Sequence, residues 1–297
     1  MIHHENNTYY VIDVHTHFVG DYQRFDPLLQ PIFDRVKPYQ QEHFDIKEVG
    51  RAAWTLVEYL DKSGVDSVCL MAEEGPPTFY SVPTELCLGY ASADSKRFFV
   101  IGNVNPRLKR SVAQRTKHLI DGGAKAFKIY ASDHAQDPYD KTLTPLFEIC
   151  AEFNLPVFFH TGANSRYPMA QNQYGDPLYW ESLMIRYPEI PFVMCHGGKG
   201  GFEDNCLRLL ENYHNTYVDI ADMSPRMLER LSMNGYVDRC LFGTDMPQFP
   251  NYDALLQRVL QLNISSDDKA AIFSENAIRI LQLPIGINKS IELVHAV

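Results

Sequence analysis

Tyr9-Tyr-Val-Ile-Asp-Val-His-Thr-His17 is the stretch on which the fold turns. Residues 9–14 are mostly apolar and β-favouring and read as a strand. Two histidines follow at its C-terminal end. Side chains two apart on a strand share a face, so His15 and His17 point the same way. At the C-terminal end of a barrel strand, that way is the mouth, where two imidazoles suit one divalent cation. H-x-H by itself equally describes an exposed or core pair, so the rest of the chain decides.

Seven further short apolar runs follow, at 66–71, 98–104, 124–129, 156–159, 191–195, 216–220 and 239–242. Amphipathic segments separate them, at 49–62, 110–121, 145–152, 177–186, 202–211 and 225–233. Strand alternating with helix predicts a parallel sheet with crossovers. Eight such units predict an α/β fold of the closed (β/α)8 TIM-barrel type, as one domain over 1–297. A doubly wound open sheet would want a glycine-rich turn after the first strand, which is absent. Pro156 and Pro191 start strands because the residue before proline is pushed out of the helical region, and Gly64, Gly122 and Gly123 sit where helices should end. The long βα loop at about 18–49 is expected to form a lid or substrate wall. A second long loop covers 163–176, and a tail follows Leu283.

Within this frame His160, His196 and Asp245 each fall just past the C-terminal end of a predicted strand, where barrels carry their chemistry. Ligands so distant in sequence converge only if the barrel closes. The chain has 297 residues, 45% hydrophobic and 22% charged, an ordinary globular balance. Its net charge of −10 argues against nucleic acid as partner and leaves a small-molecule substrate. No apolar run is long enough to span a membrane, and MIHHENNTYY lacks the pattern of a signal peptide. The six cysteines form no C-x-x-C pair and lie mostly in apolar runs. They read as buried thiols, so a cytoplasmic location is expected.

These motifs together resemble the amidohydrolase superfamily, in its amidohydrolase-related branch with the aminocarboxymuconate-semialdehyde decarboxylase-like enzymes. The resemblance runs from Asp13 to about Leu283. It is carried by His15-Thr-His17, FFHTG around His160, CHGG around His196, FGTDMP around Asp245 and the late SENAIRIL. It implies that His15, His17, His160 and Asp245 hold a divalent metal, zinc first, with manganese or iron as alternatives. His196 is then an acid/base group beside a single metal or a ligand of a second. Lys128 stands where binuclear members carry a carboxylated bridging lysine. It could instead contact a substrate anion or be structural. A homodimer is also a family-based expectation.

The implied chemistry is attack by an activated water on a small carboxylic ester, lactone or amide, with Asp245 taking the proton and His196 assisting. A non-oxidative decarboxylase of a small unsaturated or aromatic acid, using the same metal site, is the alternative. Tyr130 and Asn105 follow strand ends and are candidate substrate contacts, with loop hydrogen bonding as the other reading. Arg166 could clamp a carboxylate. Of Glu73 and Glu74, at most one is expected in the pocket. Gly197-Gly-Lys-Gly-Gly201 lacks the phosphate-loop order and reads as a turn. Asp13 either supports the histidine pair or satisfies backbone donors. Cys195 is expected to point away from the mouth, His134 to be structural or exposed, and His3 and His4 to lie in a frayed tail or bind metal by accident.

Overall fold

The computed structural model describes residues 1–17, 53–75, 81–108, 111–163, 170–246 and 252–286. The loop expected at 18–49, Arg166 and most of the tail after Leu283 lie outside these residues.

Eight strands form one sheet in chain order: β1 (Ile12–Thr16), β2 (Ser67–Met71), β3 (Phe98–Gly102), β4 (Ala124–Ile129), β5 (Val157–His160), β6 (Phe192–Cys195), β7 (Thr216–Asp219) and β8 (Cys240–Leu241). Every neighbouring pair is parallel. The last strand then meets the first. The Val14 N–H donates to the Phe242 carbonyl at 2.9 Å, the Asp245 N–H to the His15 carbonyl at 2.8 Å and the His17 N–H to the Met246 carbonyl at 2.6 Å. This seam closes the sheet into the expected (β/α)8 barrel.

A helix follows each strand: α1 (Ala53–Ser63), α2 (Thr84–Ala93), α3 (Val112–Asp121), α4 (Thr144–Phe153), α5 (Glu181–Arg186), α6 (Glu203–Asn212), α7 (Pro225–Met233) and α8 (Tyr252–Leu260). The Ser111 and Ser224 side chains cap α3 and α7 by accepting from the backbone N–H three residues on, of Gln114 and Met227. The sequence reading passes over α2 because its apolar residues are spread around the helix, with a glycine among them, and show no stripe. It also starts the first strand too early. Ile2–His4 and Asn7–Tyr9 pair as an antiparallel hairpin, so His3 and His4 are strand residues, and β1 begins only at Ile12.

Strand alternation sorts the core into two layers. Val68, Leu70, Phe127, Ile129, Val157, Phe159, Phe192 and Met194 face the helices. Ile12, Val14, Cys69, Met71, Phe99, Ile101, Ala126, Phe158, Val193, Cys195 and Leu241 fill the barrel. The late helix α9 (Asn276–Leu281) supplies Ala277, Ile280 and Leu281 to that inner cluster. Its Arg279 reaches the Tyr217 hydroxyl, and the following Gln282 reaches the Asn154 carbonyl, so it plugs the N-terminal end and leaves the opposite end for a site.

Asp13 ties the seam together. Its fully buried carboxyl accepts from the N–H groups of His15 and Thr244 at 3.0 and 3.1 Å, from the Tyr252 hydroxyl at 2.7 Å and from the Thr244 hydroxyl. Of the two readings of Asp13, the backbone donors are the one its contacts serve. Burial pushes this carboxyl up to about 7 even against those bonds. Tyr252→Phe removes one donor without creating a cavity and is expected to lower stability by about 1–3 kcal/mol in urea unfolding. A midpoint equal to that of the wild type would show the bond is dispensable. Among the described residues no helix is long and apolar enough to cross a membrane.

Candidate active site

At the C-terminal end of the barrel, β1 breaks its own alternation. Ile12 and Val14 face inward, yet the next residue, His15, also reaches the inner faces of β4 and β7. The register against β2 shifts between Asp13 and Thr16, and this irregularity allows two consecutive side chains to point inward. His17, two residues on, follows His15. Gly243 makes the room: a Cβ there would meet the His15 Cβ at 3.0 Å.

Nε2 of His15 and Nε2 of His17 each lie 3.5 Å from Oδ1 of Asp245. A tetrahedral ion with bonds of about 2.1 Å has ligand-to-ligand edges of about 3.4 Å, so these spacings fit a bound divalent cation. The three side chains, all buried, have ligating atoms within 4.8 Å of one another. His160 stands beside this set. Its ring lies 4.7 Å from that of His196, which lies 4.9 Å from that of His15. Nδ1 of His160 has the Asp133 carboxylate at 3.9 Å behind it.

His196 and Asp245 are held in the left-handed region, at φ 67° and 63°. Such backbone costs of order 1–3 kcal/mol per residue outside glycine and gathers where a side chain must be aimed. At His196 the twist brings the imidazole inward directly after the inward-facing Cys195. Its Nδ1 is 3.1 Å from the Ala221 carbonyl, which makes Nδ1 the protonated nitrogen and leaves a lone pair on Nε2. Burial, followed by the neighbouring His160 and His15, holds His196 well below the usual histidine range, so the ring is neutral.

Lys128 is fully enclosed on the inner face of β4, with Nζ 2.9 Å from Sγ of Cys195 and 3.5 Å from Nε2 of His15. Burial opposes its charge, but the hydrogen bond to the Cys195 sulfur and the Asp219 and Asp245 carboxylates more than offset that, and its amine stays above the usual lysine range. Cys195 therefore does not turn away from the site. It belongs to the barrel interior, because its alternation with Val193 aims it at the axis. Burial pushes its thiol well up, which keeps it protonated. The Tyr130 hydroxyl donates to the Ala72 carbonyl at 2.9 Å, and its ring stands between those of His17 and His134. Both ends of the Asn105 amide serve the loop, Nδ2 toward the Glu74 carbonyl and Oδ1 toward the Arg107 N–H.

Glu73 and Glu74 part company. Glu74 pairs with Arg115, while Glu73 lies 3.2 Å from Nε2 of His134, so His134 is buried with a partner rather than exposed. In the glycine run, the N–H groups of Gly200 and Gly201 point at the Glu203 carboxylate at 3.3 and 3.1 Å, and Lys199 pairs with Asp222. With its amides turned to a carboxylate of its own, this run is a turn.

The sequence reading overlooked Asp219. It ends β7 as His160 ends β5, so the rule that singled out the others would have found it. Asp219 is fully buried; Oδ2 lies 2.8 Å from Nδ1 of His15, and Oδ1 accepts from the N–H groups of His196 and Ala221, both at 3.1 Å. A carboxylate on Nδ1 fixes the tautomer that offers Nε2 as lone-pair donor.

Residues 12–283 match the family model described as amidohydrolase. A search of curated proteins found no match. Among solved structures, an uncharacterized TIM-barrel protein from Bordetella bronchiseptica aligns with TM-score 0.73 and 19% identity, covering 92% of this chain and 98% of the other. A 5-carboxyvanillate decarboxylase from Novosphingobium aromaticivorans, complexed with manganese and 4-hydroxy-3-methoxy-5-nitrobenzoic acid, aligns with TM-score 0.69 and 14% identity over 93% and 96% of the two chains. A probable 2-pyrone-4,6-dicarboxylic acid hydrolase from Acinetobacter baumannii, with citric acid bound, aligns with TM-score 0.60 and 15% identity over 92% and 99%. At these identities the structures bear on the fold. The family match covers most of the sequence and spans every barrel strand: the chain belongs to the amidohydrolase family.

Proposed function

We propose that this chain is a metal-dependent hydrolase that directs water at a small carboxylic ester, lactone or amide. The observation that carries this reading is the pair of 3.5 Å spacings from Asp245 to His15 and His17, at the edge length of a tetrahedral ion. His15, His17, His160 and Asp245 would hold the ion, zinc first by its three imidazoles and one carboxylate, with manganese or iron as alternatives. When bound, such an ion supplies Lewis acidity, polarising an oxygen and making water a stronger acid.

The chain's own residues do the rest. Asp219 keeps the His15 proton on Nδ1, so Nε2 presents its lone pair to the ion. Asp245, aimed by its left-handed backbone, takes the proton of the attacking water. His196 accepts a hydrogen bond at Nε2 from substrate or water, because its other nitrogen is committed to the Ala221 carbonyl. The proton that Asp245 took passes to Nε2 of His196 and from there to the leaving group, which restores both side chains. Lys128 lies near enough to His15 to add positive charge to the site. Tyr130 contributes a wall, and Arg166 remains a candidate clamp for a substrate carboxylate.

The second reading is non-oxidative decarboxylation of a small unsaturated or aromatic acid. What supports it is that the solved structures sharing this fold include decarboxylases as well as a probable pyrone dicarboxylate hydrolase. A panel of lactones, esters, amides and aromatic acids, with acid release and CO2 release followed in parallel, separates the two. Ring opening or acid release without CO2 is expected. CO2 release from an aromatic acid would select the second reading, and no turnover by protein carrying metal would overturn both.

A further inference from the structure

The mouth of the barrel has a second wall, built where β2, β3 and β4 end. Glu73 lies two residues past the inward-facing Met71 of β2, and Tyr130 two past Lys128 of β4, so both continue inward rows. The Tyr130 ring stands 6.4 Å from that of His17 and 5.2 Å from that of His134, and Nε2 of His134 donates to Oε1 of Glu73 at 3.2 Å. The Glu73–His134 pair is one aromatic ring away from the metal cradle. Its surroundings are clamped. The Glu74 N–H donates to Oδ1 of Asn103 and Nδ2 of Asn105 donates to the Glu74 carbonyl, both at 2.7 Å, and the Glu74 carboxylate pairs with Arg115. The His134 N–H donates to the Tyr130 carbonyl at 2.9 Å, and the His134 carbonyl accepts from Arg107 at 2.7 Å. Glu73 exposes 6% of its surface, yet among the described residues its Oε2 has no hydrogen-bond partner. An enclosed carboxylate with an idle oxygen is costly unless a ligand uses it.

We propose that Glu73, braced by His134, is a specificity-determining residue whose idle oxygen accepts from a hydroxyl at the far end of the substrate and turns away a second carboxylate there. This rests on the hydrolase reading above and adds to it the group that the substrate carries away from its reacting carbonyl. Charge decides between the two. A second carboxylate would face Glu73 and the buried Asp133 next to His134. Among the described residues the cations around this wall are already spent: Arg107 on the carbonyls of His134 and Ala135, Arg115 on Glu74 and Glu85, and Lys128 on the Cys195 sulfur. An ammonium would match the charge, but it would shed its water for a single oxygen in an enclosed wall, where a hydroxyl gives up far less.

The test measures, by calorimetry, the binding of four ring acids to the purified chain supplied with zinc ions. They are cyclohexanecarboxylate, its trans-4-hydroxy and trans-4-amino derivatives, and trans-cyclohexane-1,4-dicarboxylate. All share the carboxylate that ester cleavage would leave at the metal cradle, and only the far end varies. The hydroxy acid is expected to bind roughly 10-fold or more tightly than the parent, the range for a hydrogen bond to a charged acceptor. The dicarboxylate is expected to bind more weakly than the parent. In Glu73→Gln the amide keeps an oxygen for Nε2 of His134 and turns an NH2 group to the ligand. The hydroxyl preference should then shrink and the dicarboxylate should gain, with the parent acid unchanged. If that variant does not fold by circular dichroism, the wild-type order decides. A hydroxy acid no tighter than the parent, or tightest binding by the dicarboxylate or the amino acid, overturns the inference and leaves the hydrolase reading intact. So does a folded Glu73→Gln that keeps the wild-type order or weakens all four alike, as a merely structural role would. Binding of none of the four overturns the inference together with the reading of this mouth as a site for small carboxylic substrates.

Discussion

Asp245→Asn is expected to slow turnover roughly 10²–10⁴-fold, the range for losing a general base, while the barrel still folds. Asparagine has the size of aspartate and is among the few residues that accept the left-handed backbone found here at φ 63°. The seam bond from residue 245 to the His15 carbonyl is made by the backbone and survives the change. What is lost is the anion 3.5 Å from both Nε2 atoms, and with it the proton acceptor and part of the cation's charge balance. Turnover on whichever substrate the panel yields, metal content and circular dichroism check this together. A variant that keeps wild-type turnover would remove Asp245 from the mechanism.

Asp219→Asn strikes the same centre from behind. One end of the asparagine amide can still accept from His196 and Ala221. The other end becomes an NH2 group facing Nδ1 of His15. That contact is satisfied only if Nδ1 gives up its proton, which moves it to Nε2, the nitrogen needed for the cation. Metal affinity is expected to fall roughly 10–100-fold, the usual cost of losing a carboxylate behind a ligating histidine. Competition with a chromophoric chelator measures it. Unchanged affinity would mean that Asp219 serves only the backbone.

The strands were legible because parallel barrel strands are buried on both faces and appear as continuous apolar runs, as in Pro-Val-Phe-Phe before His160. The polar residues that end them stood out for the same reason. What stayed hidden has local causes. The shift in β1 that turns Val14 and His15 to one side depends on the β2 partner, and nothing in Asp13-Val-His15 announces it. The inward aim of His196 after Cys195 depends on a left-handed residue that is not glycine. The Glu73–His134 pair joins loops from different strands, so neither residue marks the other in sequence. Helix α2 lacked a stripe, so periodicity had nothing to find.

The seam between β1 and the segment after β8 also sets when the centre can exist. Asp13 and Thr244 bond across 231 positions, and His15 meets Asp245 over a similar span. A ribosome delivers the late partner only after all eight strands have been made, so a growing chain carries its histidine pair without its aspartate. Pairings this distant form late and slowly. The nascent chain has therefore no finished cradle for a cation, and loading waits until the cylinder has shut.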